Sequence, residues 1–123
     1  MTSVLDASAL LAYLQGEPGC DLVGDAMRDD PRCSATNWSE VAQTVPRAGR
    51  DWSLARALLL AEGVKVDDVT ATDAEWAAAR WRPGGGLSLA DRLCLALAHR
   101  LHAPAFTADA AWGSSGDGIM QIR

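Results

Sequence analysis

LADRLCLALAHRLH, residues 89–102, is the most informative stretch of this 123-residue sequence. Its apolar residues recur at helical spacing in two rows, one that starts at Leu89 and one that starts at Ala90. A helix that is apolar nearly all round belongs in the interior of a domain, packed against a sheet. One acid, Asp91, stands in its first turn, where a buried helix would not be expected to carry a charge. The stretch therefore predicts a buried helix over Leu89–His102 with a single carboxylate near its N-terminus.

Short β-type runs alternate with longer helical runs over the rest of the chain, which is typical of an α/β domain with a parallel sheet. The predicted strands are Ser3–Leu5, Arg32–Ala35, Val64–Val66, Ala105–Thr107 and Ile119–Ile122. The predicted helices are Ser8–Gln15, Cys20–Arg28, Trp38–Ala48, Ser53–Ala61, Asp73–Trp81 and Leu89–His102. Pro46 is expected to end or kink the third helix, because proline donates no backbone hydrogen bond. No repeat or linker divides the sequence, so residues 1–123 are predicted to form a single domain.

Composition narrows the classes of protein that this chain can be. Its net charge is −5, whereas a protein that binds nucleic acid usually has a basic surface. Acidity alone excludes nothing, since a carboxylate cluster reverses its sign when it binds divalent cations. Three widely spaced cysteines argue against a disulfide framework or a zinc site. The apolar N-terminal run lacks a basic segment and is interrupted by Asp6, so we expect a cytoplasmic protein without a membrane segment.

Four acids follow strands or begin helices at equivalent places in the predicted fold. Asp6 closes the first strand, Glu40 lies in the first turn of the helix after the second strand, Asp91 begins the buried helix and Asp109 follows the fourth strand. The carboxyl ends of parallel strands share one edge of a sheet, and ligands bind in the crevice beyond it. Carboxylates gathered there without basic partners repel one another, and Mg²⁺ or Mn²⁺ would hold them together. Such a site suits hydrolysis of a phosphodiester by a metal-activated water.

Helix capping is the alternative interpretation of the same acids. An aspartate at a helix N-cap is an ordinary capping device. Asn37 with Glu40, and Ser88 with Asp91, both have the spacing of a capping box. The acidic pair Asp67-Asp68 also follows a predicted strand, so position at a strand end does not by itself select four acids. The residues alone leave capping and catalysis open.

Four sequence blocks resemble those of PIN domains of the VapC type, the toxin half of a type II toxin–antitoxin pair. The blocks are VLDASALLAYLQGEPG from Val4, SATNWSEV from Ser34, GGGLSLADRLCLALAHRL from Gly84 and FTADAAW from Phe106. The resemblance implies a PIN-like three-layer sandwich with a mostly parallel five-stranded sheet in the order 3-2-1-4-5. That order puts the third strand at an edge and removes Asp67-Asp68 from the candidate site.

The resemblance also implies the residues of the site. Asp6, Glu40, Asp91 and Asp109 would be both the catalytic acids and the ligands of Mg²⁺ or Mn²⁺. Ser8 and Thr107 match small hydroxyl positions beside these acids, and Asp117 is a candidate additional acid in the less family-like final segment. Proteins of this type cleave RNA, often tRNA or rRNA, and are usually homodimers. A VapB-type antitoxin lays a helix on the toxin and can place a basic side chain in the acidic pocket.

Two rival functions belong to other classes. A phospho-acceptor signalling module would need adjacent acids after the first strand and a lysine after the last strand, but Asp6 stands alone and the only lysine is Lys65. A catalytically silent PIN-fold module that binds RNA or protein would keep the fold without the chemistry. The intact acids argue against this second rival without excluding it.

Overall fold

Five short parallel strands form one sheet in the computed structural model, which describes residues 1–113 and 118–123. The strands are β1 (Ser3–Leu5), β2 (Pro31–Ser34), β3 (Lys65–Asp67), β4 (Ala105–Thr107) and β5 (Ile119–Gln121). Their order is β3-β2-β1-β4-β5, and every neighbouring pair is parallel. The predicted strand order is confirmed, and the sheet is parallel throughout rather than mostly so.

Six α-helices and one short 3₁₀ helix connect and cover these strands. They are α1 (Ala7–Gln15), α2 (Cys20–Ala26), α3 (Ala35–Arg47), α4 (Trp52–Ala61), α5 (Ala71–Ala79), α6 (Leu89–Leu101) and the 3₁₀ turn Ala110–Trp112. Within the described ranges, none of the helices combines the length and the hydropathy that crossing a membrane requires.

The central strand β1 separates two apolar cores. Successive side chains of a strand point to opposite faces of its sheet, so Val4 and Leu5 serve different cores although both are fully buried. Leu5 packs in the larger core, which contains residues of α1, α2, α3 and α4. Val4 packs in the smaller core with residues of α6 such as Leu97. Helices thus cover both faces, which confirms the three-layer sandwich.

Helix α3 begins three residues earlier than the sequence predicts. Its N-cap is Ser34, whose hydroxyl oxygen accepts a hydrogen bond from the Asn37 N–H, so the helix starts at Ala35. The prediction that Asn37 and Glu40 form a capping box is therefore wrong, and Glu40 lies in the second turn of the helix. Pro46 lies next to the last residue, Arg47, which confirms that the helix ends there.

Helix α6 is buried along most of its length, as predicted, but not at its first residue. Leu93, Cys94 and Leu97 are buried, whereas Leu89 is 57% exposed. A 13-residue helix is about 20 Å long, while a three-residue strand spans only about 10 Å. The ends of α6 therefore extend beyond the sheet, and its N-terminal turn stands at the edge where the strands end.

Asp67, at the end of the edge strand β3, forms an ion pair. Asp67 accepts a hydrogen bond from the Arg32 guanidinium at 3.0 Å, and Arg32 lies on the neighbouring strand β2. An acid that is neutralised by a cation across two strands has a structural role. The structure thus supports leaving Asp67 out of the candidate site.

Candidate metal centre at the carboxyl edge of the sheet

Parallel strand direction brings several candidate residues to one edge of the sheet. Asp6 follows β1 directly, and Asp109 follows β4, which is hydrogen-bonded to β1. Helix α6 leads into the start of β4 and so runs against it, which puts Asp91 in the first turn of α6 at the same edge. The fold alone therefore carries these three acids to the carboxyl ends of the two central strands.

Asp6 is buried, with 3% of its surface exposed, and both of its carboxylate oxygens accept hydrogen bonds. It is the N-cap of α1 and accepts from the Ala9 N–H at 2.8 Å. Its Oδ1 also accepts from the Ser8 hydroxyl at 2.7 Å, and its Oδ2 accepts from the Thr107 hydroxyl at 2.6 Å. The carboxylate is thus fixed in one orientation by contacts from α1 and β4.

The two hydroxyls that hold Asp6 are themselves fixed by the chain that follows β4. Ser8 Oγ accepts from the Ala108 N–H at 2.8 Å, and Thr107 Oγ1 accepts from the Asp109 N–H at 3.0 Å. Each hydroxyl therefore receives one hydrogen bond from the backbone and donates one to the carboxylate. This network joins the N-terminus of α1 to the end of β4 and leaves little freedom to the Asp6 side chain.

The electrostatic state of Asp6 is unusual for an aspartate. Burial raises its pKa to about 6, although hydrogen bonds from Thr107, Ser8 and the Ala9 N–H act to lower it. The negative charge of Asp91 adds to the increase in the pKa. Among the described residues, the ion pairs of Arg32, Lys65, Arg100 and Arg123 all involve other acids. Asp6 is therefore a buried acid that no cation compensates in the part of the chain described.

Glu40 is exposed on α3 and is held by a buried neighbour. Asn37 has 1% of its surface exposed, and its Nδ2 donates to Glu40 Oε1 at 2.7 Å. The Oδ1 atom of the same amide accepts from the Ser34 hydroxyl at 3.2 Å. One hydrogen-bonded chain thus runs from the N-cap of α3 to the Glu40 carboxylate.

Asp91 is half-buried and takes part in a capping box, as the alternative interpretation predicted. Its Oδ2 accepts from the Ser88 N–H at 2.9 Å, and the Ser88 hydroxyl oxygen accepts from the Asp91 N–H at 3.1 Å. Capping occupies one oxygen of the carboxylate, so it leaves the other available to a ligand. Capping and a functional role are therefore compatible at this residue.

Asp109 is exposed and caps the 3₁₀ turn that follows β4. Its Oδ1 accepts from the Ala111 N–H at 2.9 Å. Only its backbone is tied to the Asp6 network, through the bond to Thr107 Oγ1. Asp117, the candidate additional acid, lies outside the described residues.

Two buried thiols lie within the electrostatic range of several acids. Burial raises the pKa of Cys33, and the charges of Asp6, Glu40 and Asp67 raise it further. Burial is also the main cause of the raised pKa of Cys94, to which Asp6, Asp91 and Glu40 contribute. Asp67 contributes although it is paired with Arg32, so a shared effect on a thiol does not show that the acids meet. No three His, Cys, Asp or Glu side chains within residues 1–113 and 118–123 are grouped so that they could hold one metal ion. The four-acid site stays a prediction.

Asn37 is the polar residue of this edge whose contact the sequence interpretation missed. The sequence predicts a helix cap at Asn37, whereas the structure shows its amide bonded to Glu40. Residues three apart on a helix are neighbours on one face, so the spacing of Asn37 and Glu40 could have predicted their contact. The contact was missed because α3 starts earlier than predicted, which makes Asn37 the third residue of the helix rather than its cap. A residue at that third position directs its side chain differently from an N-cap residue.

Comparisons with known proteins agree on the fold. The sequence model of the PIN domain family matches residues 3–114. No curated protein matches the sequence significantly. A toxin–antitoxin complex from Klebsiella pneumoniae contains a chain with a TM-score of 0.81 and 18% identity, and the match covers 98% of both chains. VapC20 of Mycobacterium tuberculosis, a sarcin-ricin loop cleaving toxin, matches with a TM-score of 0.69 and 19% identity over 93% of this chain and 95% of that one.

A further solved structure is similar over nearly the whole length. VapBC2 from Rickettsia felis, bound to a DNA fragment from its promoter, gives a TM-score of 0.70 at 12% identity and covers 98% of both chains. At identities this low, the likeness establishes a shared fold and not a shared substrate.

Proposed function

This chain belongs to the PIN domain family, and on that premise we propose that it is a divalent-metal-dependent endoribonuclease, the toxin of a VapBC-type toxin–antitoxin pair. One observation carries the proposal: Asp6 is buried with a pKa of about 6, next to the charge of Asp91 and without a compensating cation in the described part. Burying an uncompensated carboxylate costs stability, which is typical of a functional site.

The side chains at this edge fit Mg²⁺ or Mn²⁺ by their chemistry. They offer carboxylate oxygens, which these hard cations prefer, rather than the thiolate and imidazole groups that select zinc. Asp6, Asp91, Glu40 and Asp109 are the residues that would hold the ion. A bound divalent ion would supply positive charge against the scissile phosphate and make water a stronger acid.

The chain's own residues prepare the site in three ways. Ser8 and Thr107 donate to Asp6, which favours its ionised form against the effect of burial. Their bonds to the backbone after β4 hold Asp6 at the centre of the edge. The outer acids Glu40 and Asp109 are exposed, so a divalent ion could reach them from solvent, and its charge would then attract an RNA phosphate.

We also propose a VapB-type antitoxin as the partner, docked on an exposed apolar groove of about 340 Å³ between α1, α3 and α4. Leu54 on α4 is 71% exposed and Leu58 is 44% exposed, and both line the groove with Leu14 and Val45. An amphipathic helix would cover these leucines. A basic residue of the antitoxin would compensate the acids at the sheet edge. The similar chains from Klebsiella pneumoniae and Rickettsia felis come from complexes of this kind. The homodimer stays a prediction.

RNA is the proposed substrate, with tRNA or rRNA as the class. The similar toxin from Mycobacterium tuberculosis is described as cleaving the sarcin-ricin loop. A second candidate, a catalytically silent PIN-fold module that binds RNA or protein, follows from the finding that no three described acids are grouped as ligands.

A nuclease assay tests the proposal and separates these two candidates. Purified wild-type protein, Asp6→Asn and the control Asp73→Asn are incubated with total RNA in Mn²⁺, in Mg²⁺ and in EDTA. Cleavage by the wild type and the control in either metal, absent in EDTA and in Asp6→Asn, supports the nuclease. RNA binding without cleavage by any protein would favour the silent module. Cleavage that survives both EDTA and Asp6→Asn would overturn the proposed chemistry.

A binding experiment tests the partner. The product of a small neighbouring reading frame is co-expressed with the wild type, with Leu54→Ser, and with Arg56→Ser as a control on the same helix. Co-purification that Leu54→Ser weakens and Arg56→Ser retains supports the groove. Equal retention by all three proteins would place the antitoxin elsewhere.

A further inference from the structure

We propose that Asn37 is a positioning residue of the metal centre, which holds the Glu40 carboxylate toward the other acids without touching the ion itself. The inference rests on the proposed metal-dependent function. It starts from the hydrogen bond of 2.7 Å between Asn37 Nδ2 and Glu40 Oε1.

Asn37 is an unfavourable residue for its place unless its side chain has a purpose there. Asparagine is a poor helix former, and a buried amide without hydrogen bonds costs stability. Asn37 nevertheless lies inside α3 with 1% of its surface exposed, and both ends of its amide are hydrogen-bonded. The residue therefore has a fixed conformation that delivers one N–H to Glu40.

The surrounding hydrogen bonds determine which end of the amide faces Glu40. The Ser34 oxygen accepts from the Asn37 backbone N–H, so its own proton is free to donate to Oδ1. The opposite orientation of the amide would place Oδ1 against a carboxylate oxygen, and two acceptors would repel each other. Only the orientation with Nδ2 toward Glu40 satisfies both neighbours.

Two other helices show that Asn37 is not needed for capping. Helices α5 and α6 also begin with a hydroxyl N-cap that accepts from the backbone N–H three residues later. In both, the residue at that third position is an aspartate, Asp73 or Asp91, whose carboxylate reaches back to the N-cap N–H. In α3 the equivalent residue, Asn37, reaches forward to Glu40 instead. The side chain thus serves the acid rather than the helix terminus.

Glu40 needs such a partner because it is exposed. A free glutamate on a helix surface occupies several rotamers, and fixing it costs side-chain entropy. The bond from Asn37 restricts those rotamers before any ion binds. Helix α3 begins directly after β2, and β2 is parallel to β1, so the first turns of α3 hold Glu40 at the edge of the sheet where Asp6 stands. Outer partners of metal ligands typically contribute 10–100-fold to metal affinity.

A double-mutant cycle tests the inference. The Kd for Mn²⁺ is measured by calorimetry for the wild type, Asn37→Ala, Glu40→Ala and the double variant, and the thermal midpoint is measured without metal. We expect Asn37→Ala to weaken Mn²⁺ binding by about 10-fold or more in the wild type and by less than about twofold in the Glu40→Ala background. A purely structural residue would weaken binding by the same factor in both backgrounds, or not at all, and either result overturns the inference.

Two further variants keep the test decisive. Thr70→Ala removes a comparable cap on α5 and should lower the thermal midpoint while Mn²⁺ affinity stays unchanged. If Asn37→Ala fails to fold, Asn37→Asp replaces it, since it keeps the acceptor for Ser34 but turns a carboxylate toward Glu40. Asn37→Asp should weaken Mn²⁺ binding only while Glu40 is present, and equal weakening in both backgrounds overturns the inference. Absence of Mn²⁺ binding by the wild type itself would instead defeat the proposed function and the inference together.

Discussion

Asp73 and Asp91 occupy the same position of the same capping motif, yet their surroundings differ completely. Each lies three residues after a hydroxyl N-cap, Thr70 or Ser88, and each closes a capping box. Asp73 is buried against Arg100, whose guanidinium donates to its carboxylate at 3.1 Å. Asp91 has no cation within the ion-pair distance among the described residues, and its charge raises the pKa of Asp6.

The difference shows that one local motif serves two purposes. Burial acts to raise the pKa of Asp73, but hydrogen bonds from Arg100 and Thr70 outweigh it and lower the pKa overall. That acid joins the start of α5 to the C-terminal part of α6 and stabilises the fold. At the carboxyl edge, Asp6 and Asp91 are left without such compensation, so stability is lower there and the acids can receive a cation. Functional sites commonly carry such a cost in stability.

The largest expected difference between Asp73 and Asp91 is the effect of an asparagine substitution on nuclease activity. Asp91→Asn is expected to lower the cleavage rate in Mn²⁺ by about 100-fold or more, because losing a ligand costs at least as much as losing an outer partner of a ligand. Asp73→Asn should leave the rate within about twofold. Initial rates on a fluorogenic RNA measure both. Similar rates for the two variants would mean that the capping positions do not differ in function.

Asp6 and Asp73 should affect the pH dependence of stability with opposite signs. The folded pKa of Asp6, about 6, lies above its ordinary value of 3.8, so the folded protein binds the proton more tightly than the unfolded chain. The contribution of Asp6 to the free energy of unfolding of the metal-free protein should therefore fall as the pH rises from 3.8 to about 6, by up to roughly 3 kcal/mol. The pKa of Asp73 is lowered in the folded protein, so its carboxylate stabilises the fold at pH values above its ordinary pKa. That contribution is lost as the pH falls through the folded pKa.

Urea unfolding of the wild type and Asp6→Asn between pH 4 and pH 7 measures the contribution of Asp6. The other titrating groups are common to both proteins, so they cancel in the difference. Asp6→Asn should gain stability relative to the wild type as the pH rises. A constant difference across this range would show that Asp6 is not the group responsible.

Asp73→Asn should lower stability more than Asp91→Asn does, which is the reverse of their expected effects on nuclease activity. Asp73→Asn loses the charge that pairs this buried carboxylate with the exposed Arg100 and should cost about 1–2 kcal/mol in the free energy of unfolding. Asp91→Asn keeps an oxygen for the Ser88 N–H and loses no ion pair, so its cost should stay within about 0.5 kcal/mol. Urea unfolding at pH 7 compares them, and an equal loss for both would contradict the contrast.

The smallest effects should be the same at both capping boxes. Thr70→Ala and Ser88→Ala each remove one hydroxyl acceptor from a helix N-terminus and should each cost about 1 kcal/mol. Equal losses in thermal unfolding would confirm that the two motifs are locally equivalent. A much greater loss for one variant would locate part of the difference in the caps themselves.

Much of the fold followed from the sequence. The predicted strands lie within one residue of the observed ends at all five places, because short apolar runs between helices leave few alternatives. The helix starts were less accurate. Helix α3 begins at Ala35 rather than Trp38, since a serine at the end of β2 caps it. The buried amide of Asn37 followed from that shift, and its contact with Glu40 was missed.

The resemblance also placed Ser8 and Thr107 beside the acids, where both bond to Asp6. Apart from that, the candidate site was predicted only as far as its position. Asp6 at the end of β1 and Asp91 at the start of α6 lie at one edge because parallel strands end together. The burial of Asp6, the two hydroxyls that hold it and the exposure of Asp109 depend on packing between segments far apart in sequence. Spacing along the chain carries no information about such contacts.

Local sequence was sufficient for the strands and for the capping box that begins α6, since periodicity, hydroxyl N-caps and acids three residues later act over a single helical turn. It could not distinguish Asp73 from Asp91, because both satisfy the same rule. The distinction arises where Arg100, 27 residues after Asp73, reaches that carboxylate, while Asp91 is left beside the buried Asp6. Charge compensation depends on distances in space, and only the folded chain sets those.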